Sequence, residues 1–401
     1  MKYGLNKKNI VLGVSGGIAA YKSLELLRLL KKAGANVRII MTRNAQWFVG
    51  PTSFEALSGE PVCTSLFENK GDAGIRHIEW AENADMIIVA PATANIIGKA
   101  ANGLADDALS TFLLAATCPV MVCPSMNTHM YEKSSVQRNL ARLREDGCIV
   151  LTPDSGSLAC GTTGPGRLPE PEMILESVFI CLSVKDLEGK HVLVTAGPTI
   201  EPIDPVRYIS NPSSGKMGYA LATAAVRRGA DVIMISGPAL LPDPLGVSVT
   251  RVDTAQEMAD AVFEGLVQAD IVIKAAAVSD YKPLTPSNQK IKKGSGEQTI
   301  LLEQTRDILK EIGACKENRI LVGFAAETED LKQNAEKKLS DKNLDIIVGN
   351  IVGGPDSGFG TDTNTGTLFF KDGTAETLES MDKTALAHVL LDRIVERFLK
   401  P

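Results

Sequence analysis

One pattern constrains this chain more than any other, and it runs twice. Short apolar, β-rich runs alternate with amphipathic segments of helical period, first over residues 9–151 and again from residue 190. Parallel strands need a crossover of helix length, so such alternation implies a parallel sheet with helices on both faces. In the first pass, strands are expected at 9–14, 37–41, 86–90, 120–123 and 149–151, with helices at 18–33, 94–105 and 132–146. In the second pass, strands are expected at 190–196, 231–236, 247–252, 271–275, 298–302, 320–324 and 346–348. Helices are expected there at 215–228, 255–267, 328–339 and 383–399. Both passes use one helix stop and strand start: Lys31-Lys32-Ala33-Gly34-Ala35-Asn36-Val37 and Arg227-Arg228-Gly229-Ala230-Asp231-Val232. This is recurrence of a fold type, not a solenoid repeat. The fold class is therefore α/β with two doubly wound domains. Residues 151–171 hold four glycines and four prolines and read as a long loop over a site. A helix at 172–182 follows, then the short polar stretch 183–189. The boundary belongs there, giving domains 1–186 and 187–401.

Composition narrows the class of function. A net charge of -6 argues against a general binder of nucleic acid or anionic membrane, while leaving small anionic ligands open. The seven cysteines are odd in number and form no CxxC, so a disulfide framework or zinc site is not expected and a reducing cytoplasm is. The apolar run 10–14 is broken by Ser15-Gly16-Gly17 and reads as a strand, not a signal peptide. The charge-free stretch 108–131 contains Pro119, Pro124, Asn127 and His129, which a membrane span would not tolerate.

In the first domain, Ser15-Gly16-Gly17 joins a strand to a helix, where free amides can face an anion. It is not GxGxxG, and the second strand ends in Thr42-Arg43 where an NAD ribose would need an acid. A phosphomonoester such as FMN suits this loop better, with a plain tight turn as the alternative. Pro91-Ala92-Thr93-Ala94-Asn95 follows a buried strand, at the edge where such sheets bind ligands, although taken alone helix capping by Thr93 is the favoured reading. Pro124-Ser125-Met126-Asn127-Thr128-His129-Met130-Tyr131 offers Asn127 as a neutral donor to a carboxylate, or is a turn with core methionines. His77 is a structural residue or a general base. Cys160 lies in a glycine-rich segment, unlike the core-like Cys118, Cys123 and Cys148.

Taken together, 15–22, 91–95, 124–131 and 160–167, with a histidine near His77, resemble the flavin-containing cysteine decarboxylases, a flavodoxin-like fold. The resemblance implies bound FMN and decarboxylation of 4′-phosphopantothenoylcysteine to 4′-phosphopantetheine. Oxidising the cysteinyl thiol to a thioaldehyde provides an electron sink, CO2 leaves to give an enethiolate, and the electrons return. By that resemblance Ser15, Gly16, Gly17, Thr42, Pro91, Ala92, Thr93 and Asn95 contact FMN. His77 is the base, Asn127 holds the carboxylate, and Cys160 donates a proton in the final reduction.

In the second domain, Asn211-Pro212-Ser213-Ser214-Gly215-Lys216-Met217-Gly218 ends a loop and opens a helix. It is a phosphate-sized loop without the GxxxxGK[ST] pattern, or an ordinary helix start. Gly197-Pro198-Thr199 and Ala275-Ala276-Ala277-Val278-Ser279-Asp280-Tyr281 also follow strands. Lys290-Ile291-Lys292-Lys293 is a basic run, either a solvated surface tract or a neutraliser of a triphosphate. With 195–205, 207–218 and Phe324-Ala325-Ala326-Glu327-Thr328, this half resembles phosphopantothenate–cysteine ligase, a Rossmann-like fold. Both halves in one chain resemble the bifunctional phosphopantothenoylcysteine decarboxylase/phosphopantothenate–cysteine ligase family of coenzyme A biosynthesis. That implies CTP and Mg2+, an acyl-cytidylate of 4′-phosphopantothenate, and attack by cysteine to form the amide. Lys290 would stabilise charge during activation and Asn211 would orient the intermediate. Ala275, Ala276, Ala277, Asp280, Asp307, Phe324, Lys338 and Lys342 would contact CTP. Thr305-Arg306-Asp307-Ile308 departs from the family's commoner Asn-Pro-Asp-Ile. The family also implies a cytoplasmic homo-oligomer, with decarboxylase trimers joined through ligase dimers. Two rival readings are a flavodoxin-like electron carrier fused to a nucleotide domain and a non-catalytic FMN-binding regulatory subunit. The carrier needs no Asn127 or Cys160, and the regulatory subunit has no use for His77, Asn127, Cys160 and Lys290.

Overall fold

Five consecutive buried positions end β1 (Asn9–Val14), leaving only its first residue exposed. A strand buried on both faces must sit inside a sheet with helices above and below. The computed structural model describes residues 3–66, 80–157, 161–293, 297–327, 329–351 and 362–400. The chain divides into two compact units, Met1–Leu182 and Ser183–Pro401.

In the first unit β1 pairs in parallel with β2 (Asn36–Met41) and β3 (Met86–Ala92), which places Ile10 opposite both Val37 and Met86. With β4 (Val120–Pro124) and β5 (Ile149–Val150) the order is β2-β1-β3-β4-β5, all parallel. This is the flavodoxin-like order, whose reversal point lies between β1 and β3. One face is covered by α1 (Lys22–Lys32) through Leu26, Leu27 and Leu30, by α2 (Pro51–Ser58) through Phe54, and by α6 (Pro171–Leu182). The other is covered by α3 (Ala94–Ala101), α4 (Ala108–Leu114) and α5 (Ser134–Glu145).

Several expectations change here. Residues 151–171 are not a plain loop, since β6 (Asp154–Ser157) and β7 (Thr163–Arg167) pair as an antiparallel hairpin. Gly166, at φ +138°, has no room for a side chain against the Met126 carbonyl, so the glycines that suggested a loop serve close packing. α3 stops short of residue 105 because Asn102 and Gly103, at φ +65°, turn the chain out of the helix. The helix expected from 18 begins as a 3-10 turn, Ile18–Tyr21. α2 and α4 were not expected. Pro51 occupies the first turn of α2, and a capping box between Asp107 and Ser110 starts α4.

The second unit has strands β8 (His191–Ala196), β11 (Asp231–Ser236), β12 (Val247–Arg251), β13 (Ile271–Lys274), β16 (Ile320–Glu327) and β17 (Ile346–Ile351). They lie in the order β12-β11-β8-β13-β16-β17, all parallel. This is the Rossmann order, reversing between β8 and β13. The sheet then continues antiparallel through β19 (Thr367–Phe370) and β20 (Ala375–Thr377), an edge the alternation did not predict. α7 (Lys216–Arg227) and α11 (Lys383–Ile394) cover one face. α8 (Ala255–Gly265), α9 (Ile308–Ala314) and α10 (Leu331–Asp341) cover the other. The loop 197–214 contains a hairpin of β9 (Ile200–Pro202) and β10 (Tyr208–Ser210). The strand expected at 298–302 is instead β15 (Leu302–Gln304), paired with β14 (Tyr281–Pro283) outside the main sheet. Ile300, Leu301 and Leu302 are exposed there, so their apolar character misled. A two-residue pair, β18 (Thr363–Asn364) with β21 (Met381–Asp382), precedes α11.

Candidate active sites

Each unit opens a cleft at the carboxyl edge of its sheet, where parallel α/β folds bind ligands. In the first unit the cleft measures about 1030 Å³, at the upper end of the ~300–1,000 Å³ expected of small-molecule sites. Its floor is the turn after β1. Ser15 is buried, its hydroxyl donating to the Pro91 carbonyl at 2.7 Å and accepting from the Thr93 amide at 3.0 Å. This brace locks the β1 turn to the β3 turn across the reversal point. Gly16 has no room for a Cβ against the Asn44 backbone, so only glycine lets the two turns close. Thr42, Arg43 and Asn44 form one wall, and Thr93, Asn95 and Ser125–Asn127 another.

Asn127 caps the helical turn Thr128–Tyr131, its Oδ1 accepting from the His129 amide at 2.8 Å. That bond fixes the amide orientation, and Nδ2 donates to the Thr162 hydroxyl at 3.4 Å. Capping thus takes the oxygen and leaves the Nδ2 end of Asn127 as the donor this cleft-lining residue can offer, the polarity needed to meet a carboxylate. Lys99 at the cleft margin is held by Asp106 at 2.6 Å and Asp107 at 2.7 Å. Although burial disfavours its charge, these carboxylates raise its pKa above the ordinary value.

In the second unit a smaller cleft of about 110 Å³ lies over the ends of β13, β16 and β17. Ser213, Ser214, Gly215, Lys216 and Gly218 form its rim at the start of α7. Gly215 adopts φ +75°, and Gly218 abuts Ala196 so tightly that a side chain would clash with β8. Ala275, Ala277, Phe324 and Ala326 line its floor, with Asn350, Asn364 and Lys383. The Asn350 Oδ1 is buried without a hydrogen-bond partner among the described residues, on a residue that lines this cleft. Lys383 is pulled below the usual lysine pKa by burial and by Lys216.

Residues 1–182 match the family model described as Flavoprotein, and residues 187–398 match that of the DNA/pantothenate metabolism flavoprotein C-terminal domain. The coenzyme A biosynthesis bifunctional protein CoaBC of Bacillus subtilis is 52% identical over 394 residues, 97% of each chain. That of Escherichia coli K12 is 47% identical over 396 residues, 98% of this chain and 97% of the relative.

The chain belongs to this family.

Among solved structures, the C-terminal domain of a coenzyme A biosynthesis bifunctional protein CoaBC is 43% identical. It covers 52% of this chain and 96% of that one, with a TM-score of 0.46. As a member of the bifunctional coenzyme A biosynthesis proteins, this flavoprotein combines decarboxylase and ligase activities in one polypeptide. Among its described residues no helix is long and apolar enough to cross a membrane.

The structure gathers Ser15, Gly16, Gly17, Thr42, Thr93, Asn95 and Asn127 around the first cleft. Pro91 and Ala92 are buried behind it; Pro91 acts through the Ser15 brace, and the Ala92 carbonyl accepts from the Ser125 amide at 2.9 Å. Thr93 occupies the N-cap of α3 but its side chain makes no capping bond; its hydroxyl stands 3.1 Å from that of Ser15. The capping alternative is thus not what Thr93 does. His77 and Cys160 lie outside the described residues. Cys123 is fully buried as expected, whereas Cys118 and Cys148 are only half-buried.

In the second unit Ala275, Ala277 and Phe324 line the small cleft, while Ala276 turns away and donates its amide to the Thr195 hydroxyl at 3.2 Å. Asn211 lies beside the Ala277–Val278 turn, its Nδ2 donating to the Val278 carbonyl at 3.0 Å. A second charged group sits apart on the α9–α10 side. Lys342 meets Asp307 at 2.8 Å, Lys338 meets Glu327 at 2.6 Å, and exposed Asp280 neighbours Thr305 through its own carbonyl, 3.0 Å from the Thr305 amide. Burial pushes the Asp307 carboxyl up, but the bonds from Lys342 and the Lys310 amide outweigh it and hold its pKa low. Lys290 is exposed and lines neither group; its neighbour Ile291 is pinned by Asp204 and Arg207. Arg43, Asn44, Asn350, Asn364 and Lys383 were not singled out from sequence. For Asn350 a signal existed, a polar residue interrupting the apolar run of a buried strand.

Proposed function

We propose that residues 1–186 decarboxylate 4′-phosphopantothenoylcysteine with FMN, and that residues 187–401 join 4′-phosphopantothenate to cysteine with CTP and Mg2+. The observation that carries the first half is the braced cleft, whose Gly16-Gly17 turn and surrounding Ser15, Thr42, Thr93 and Asn95 fit a phosphate and a flat ring system. Bound FMN supplies two-electron chemistry, taking a pair from the cysteinyl thiol and returning it after CO2 has left. Asn127 donates through Nδ2 to the departing carboxylate and holds its plane fixed, since its oxygen is tied to the His129 amide. His77 serves as base and Cys160 as proton donor in this reading. Ile18, Tyr21 and Met130 line the cleft yet are exposed, apolar surface that a second copy of the chain would cover. This supports self-association through this unit; the cytoplasmic location, the trimer through this unit and the dimer through the other are taken into the reading from the family resemblance.

In the second half, the carboxylate of 4′-phosphopantothenate attacks the α-phosphate of CTP, pyrophosphate leaves, and the cysteine amine displaces CMP. Gly215 allows the backbone close to phosphates, Gly218 seats the start of α7 against β8, Lys290 stabilises charge during activation, and Asn211 orients the acyl-cytidylate. Asp280, Asp307, Phe324, Lys338 and Lys342 serve the nucleotide. Mass spectrometry of quenched reactions tests these roles. Lys290→Gln should release little pyrophosphate, and Asn211→Asp should accumulate acyl-cytidylate, each with losses on the order of 10²–10³ in overall rate. Intermediate in Lys290→Gln but not in Asn211→Asp would reverse the two assignments.

A further inference from the structure

A tight turn joins β9 to β10, and its sequence, Asp204-Pro205-Val206-Arg207, accounts for its shape. Aspartate opens such turns by accepting from amides two and three residues on, and proline fixes the next φ. The Asp204 Oδ1 accepts from the Val206 and Arg207 amides, both at 2.8 Å. Oδ2 accepts from the Arg207 guanidinium, from Nε at 3.0 Å and from Nη2 at 2.5 Å. Its remaining partner lies far along the chain: the Ile291 amide donates to it at 3.1 Å. The Asp204 side chain is fully buried under these bonds, although Arg207 is half exposed. The Arg207 guanidinium above all, and then the amides of Val206, Ile291 and Arg207, hold the Asp204 carboxyl well below the usual carboxylate range against the cost of burial.

The same ion pair grips the other side of Ile291. Arg207 Nη2 also donates to the Ile291 carbonyl, at 2.8 Å. One acid and one base thus take both backbone groups of a single residue, as a neighbouring strand would. Earlier in that segment the Ser287 amide donates to the Ile203 carbonyl at 2.9 Å, a second tie to the same turn. Lys290, next to the gripped residue, is exposed, so its main chain is held while its side chain stands in solvent. From the turn, β10 runs through Tyr208–Ser210, and Asn211 follows. Arg207 to Asn211 is a stretch of extended chain of roughly 13 Å. One short hairpin therefore carries Asn211 at one end and holds the Lys290 segment at the other.

We propose that Asp204 is a positioning residue of the ligase reaction: through Arg207 and the Ile291 backbone it sets where Lys290 can reach during activation of 4′-phosphopantothenate. This rests on the role given to Lys290 above. Asp204 touches no substrate and enters no chemical step. A lysine on an untethered segment disperses its charge through solvent, whereas stabilising charge that develops in a reaction needs the cation in place beforehand. The tie at Ile291 supplies that placement, and it depends on a carboxylate with two oxygens, since one is used up by the turn and the other by Arg207 and Ile291.

A double-mutant cycle on the full chain, with pyrophosphate release from CTP and 4′-phosphopantothenate as the readout, tests the assignment. Asp204→Asn keeps the size of the side chain, removes its charge and turns one acceptor into a donor. It should slow pyrophosphate release on the order of a hundredfold, the loss expected when a catalytic group is misplaced by about 1 Å. In a Lys290→Gln background the same change should cost less than about threefold, because no lysine remains to be placed. Hydrogen exchange resolved to single amides gives a second measure: the wild type should protect the Ile291 amide, and Asp204→Asn should lose that protection. Equal losses from Asp204→Asn in both backgrounds would overturn the proposal and leave the Lys290 reading standing. An Ile291 amide that exchanges in the wild type as fast as in an unstructured peptide would also overturn it, a result that needs no variant to fold. A Lys290→Gln chain that releases pyrophosphate at the wild-type rate overturns both this inference and the reading beneath it.

Discussion

Replacing Ser15 with alanine removes the brace on which the first cleft depends. The hydroxyl is 1% exposed, donates to the Pro91 carbonyl at 2.7 Å and accepts from the Thr93 amide at 3.0 Å. The Pro91 carbonyl keeps a partner in the Ser15 amide at 3.3 Å, so the group left worst off is the Thr93 N–H. Two lost bonds at about 1 kcal/mol each, plus part of the cost of an unsatisfied buried donor, sum to roughly 3 kcal/mol. For a unit of this size that is a fall of about 6–12 °C in its melting temperature. The turns that would hold FMN loosen with it, so affinity for FMN should drop at least tenfold. Scanning fluorimetry with and without FMN, and quenching of FMN fluorescence on titration, measure both. The reasoning fails if Ser15→Ala melts within about 2 °C of the wild type and binds FMN within twofold.

Three further outcomes follow from the same geometry. Lys274 ionises at about 8 when folded and near 10.5 when unfolded, so between those values the unfolded state binds the extra proton and stability rises with pH; urea unfolding at pH 7 and pH 10 should show this rise, with Asp280, Asp307 and Lys342 still in place, and Lys274→Met should lack it. The Cys123 thiol is buried and pushed well above the usual range, whereas Cys315 is exposed, so mass-mapped labelling with a disulfide reagent should modify Cys315 first and Cys123 only as the protein unfolds. Core clusters of the second unit draw only on residues from 187 onward, so a 187–401 fragment should fold and release pyrophosphate without flavin; a folded fragment with no ligase activity would mean that its site needs the other unit.

The order of strands and helices was legible because buried parallel strands are apolar throughout and their crossover helices are amphipathic. What escaped was structure made by packing at turns. The hairpin of Asp154–Ser157 with Thr163–Arg167 hides in a Gly/Pro-rich segment whose glycines admit the Met126 carbonyl, a contact distant in sequence. The antiparallel β19–β20 edge follows from pairing with β17, which no local period records. Around the first cleft, motifs at 15–17, 91–95 and 124–127 converge because each follows a strand of one sheet, and sequence order alone placed them on the same edge. Pro91 and Ala92 shared a motif with Thr93 yet are buried, because they are the last residues of β3, whereas Thr93 follows it at the sheet's edge. Lys290 was grouped with the phosphate loops on its charge and on the family resemblance; in the structure it is exposed, and its neighbour Ile291 is held by Asp204 and Arg207. Asp204 was passed over because an acid before a proline looks like turn chemistry alone.

The central claim is that one chain both makes and decarboxylates the cysteine amide of 4′-phosphopantothenate. Cysteine labelled with ¹³C in its carboxyl group tests it directly, supplied with 4′-phosphopantothenate, CTP, Mg2+ and FMN to the purified protein. The account predicts unlabelled 4′-phosphopantetheine, with the label recovered as CO2 in equal amount and nothing formed when CTP is omitted. Labelled amide that accumulates with FMN bound, or product that forms without CTP, would contradict it.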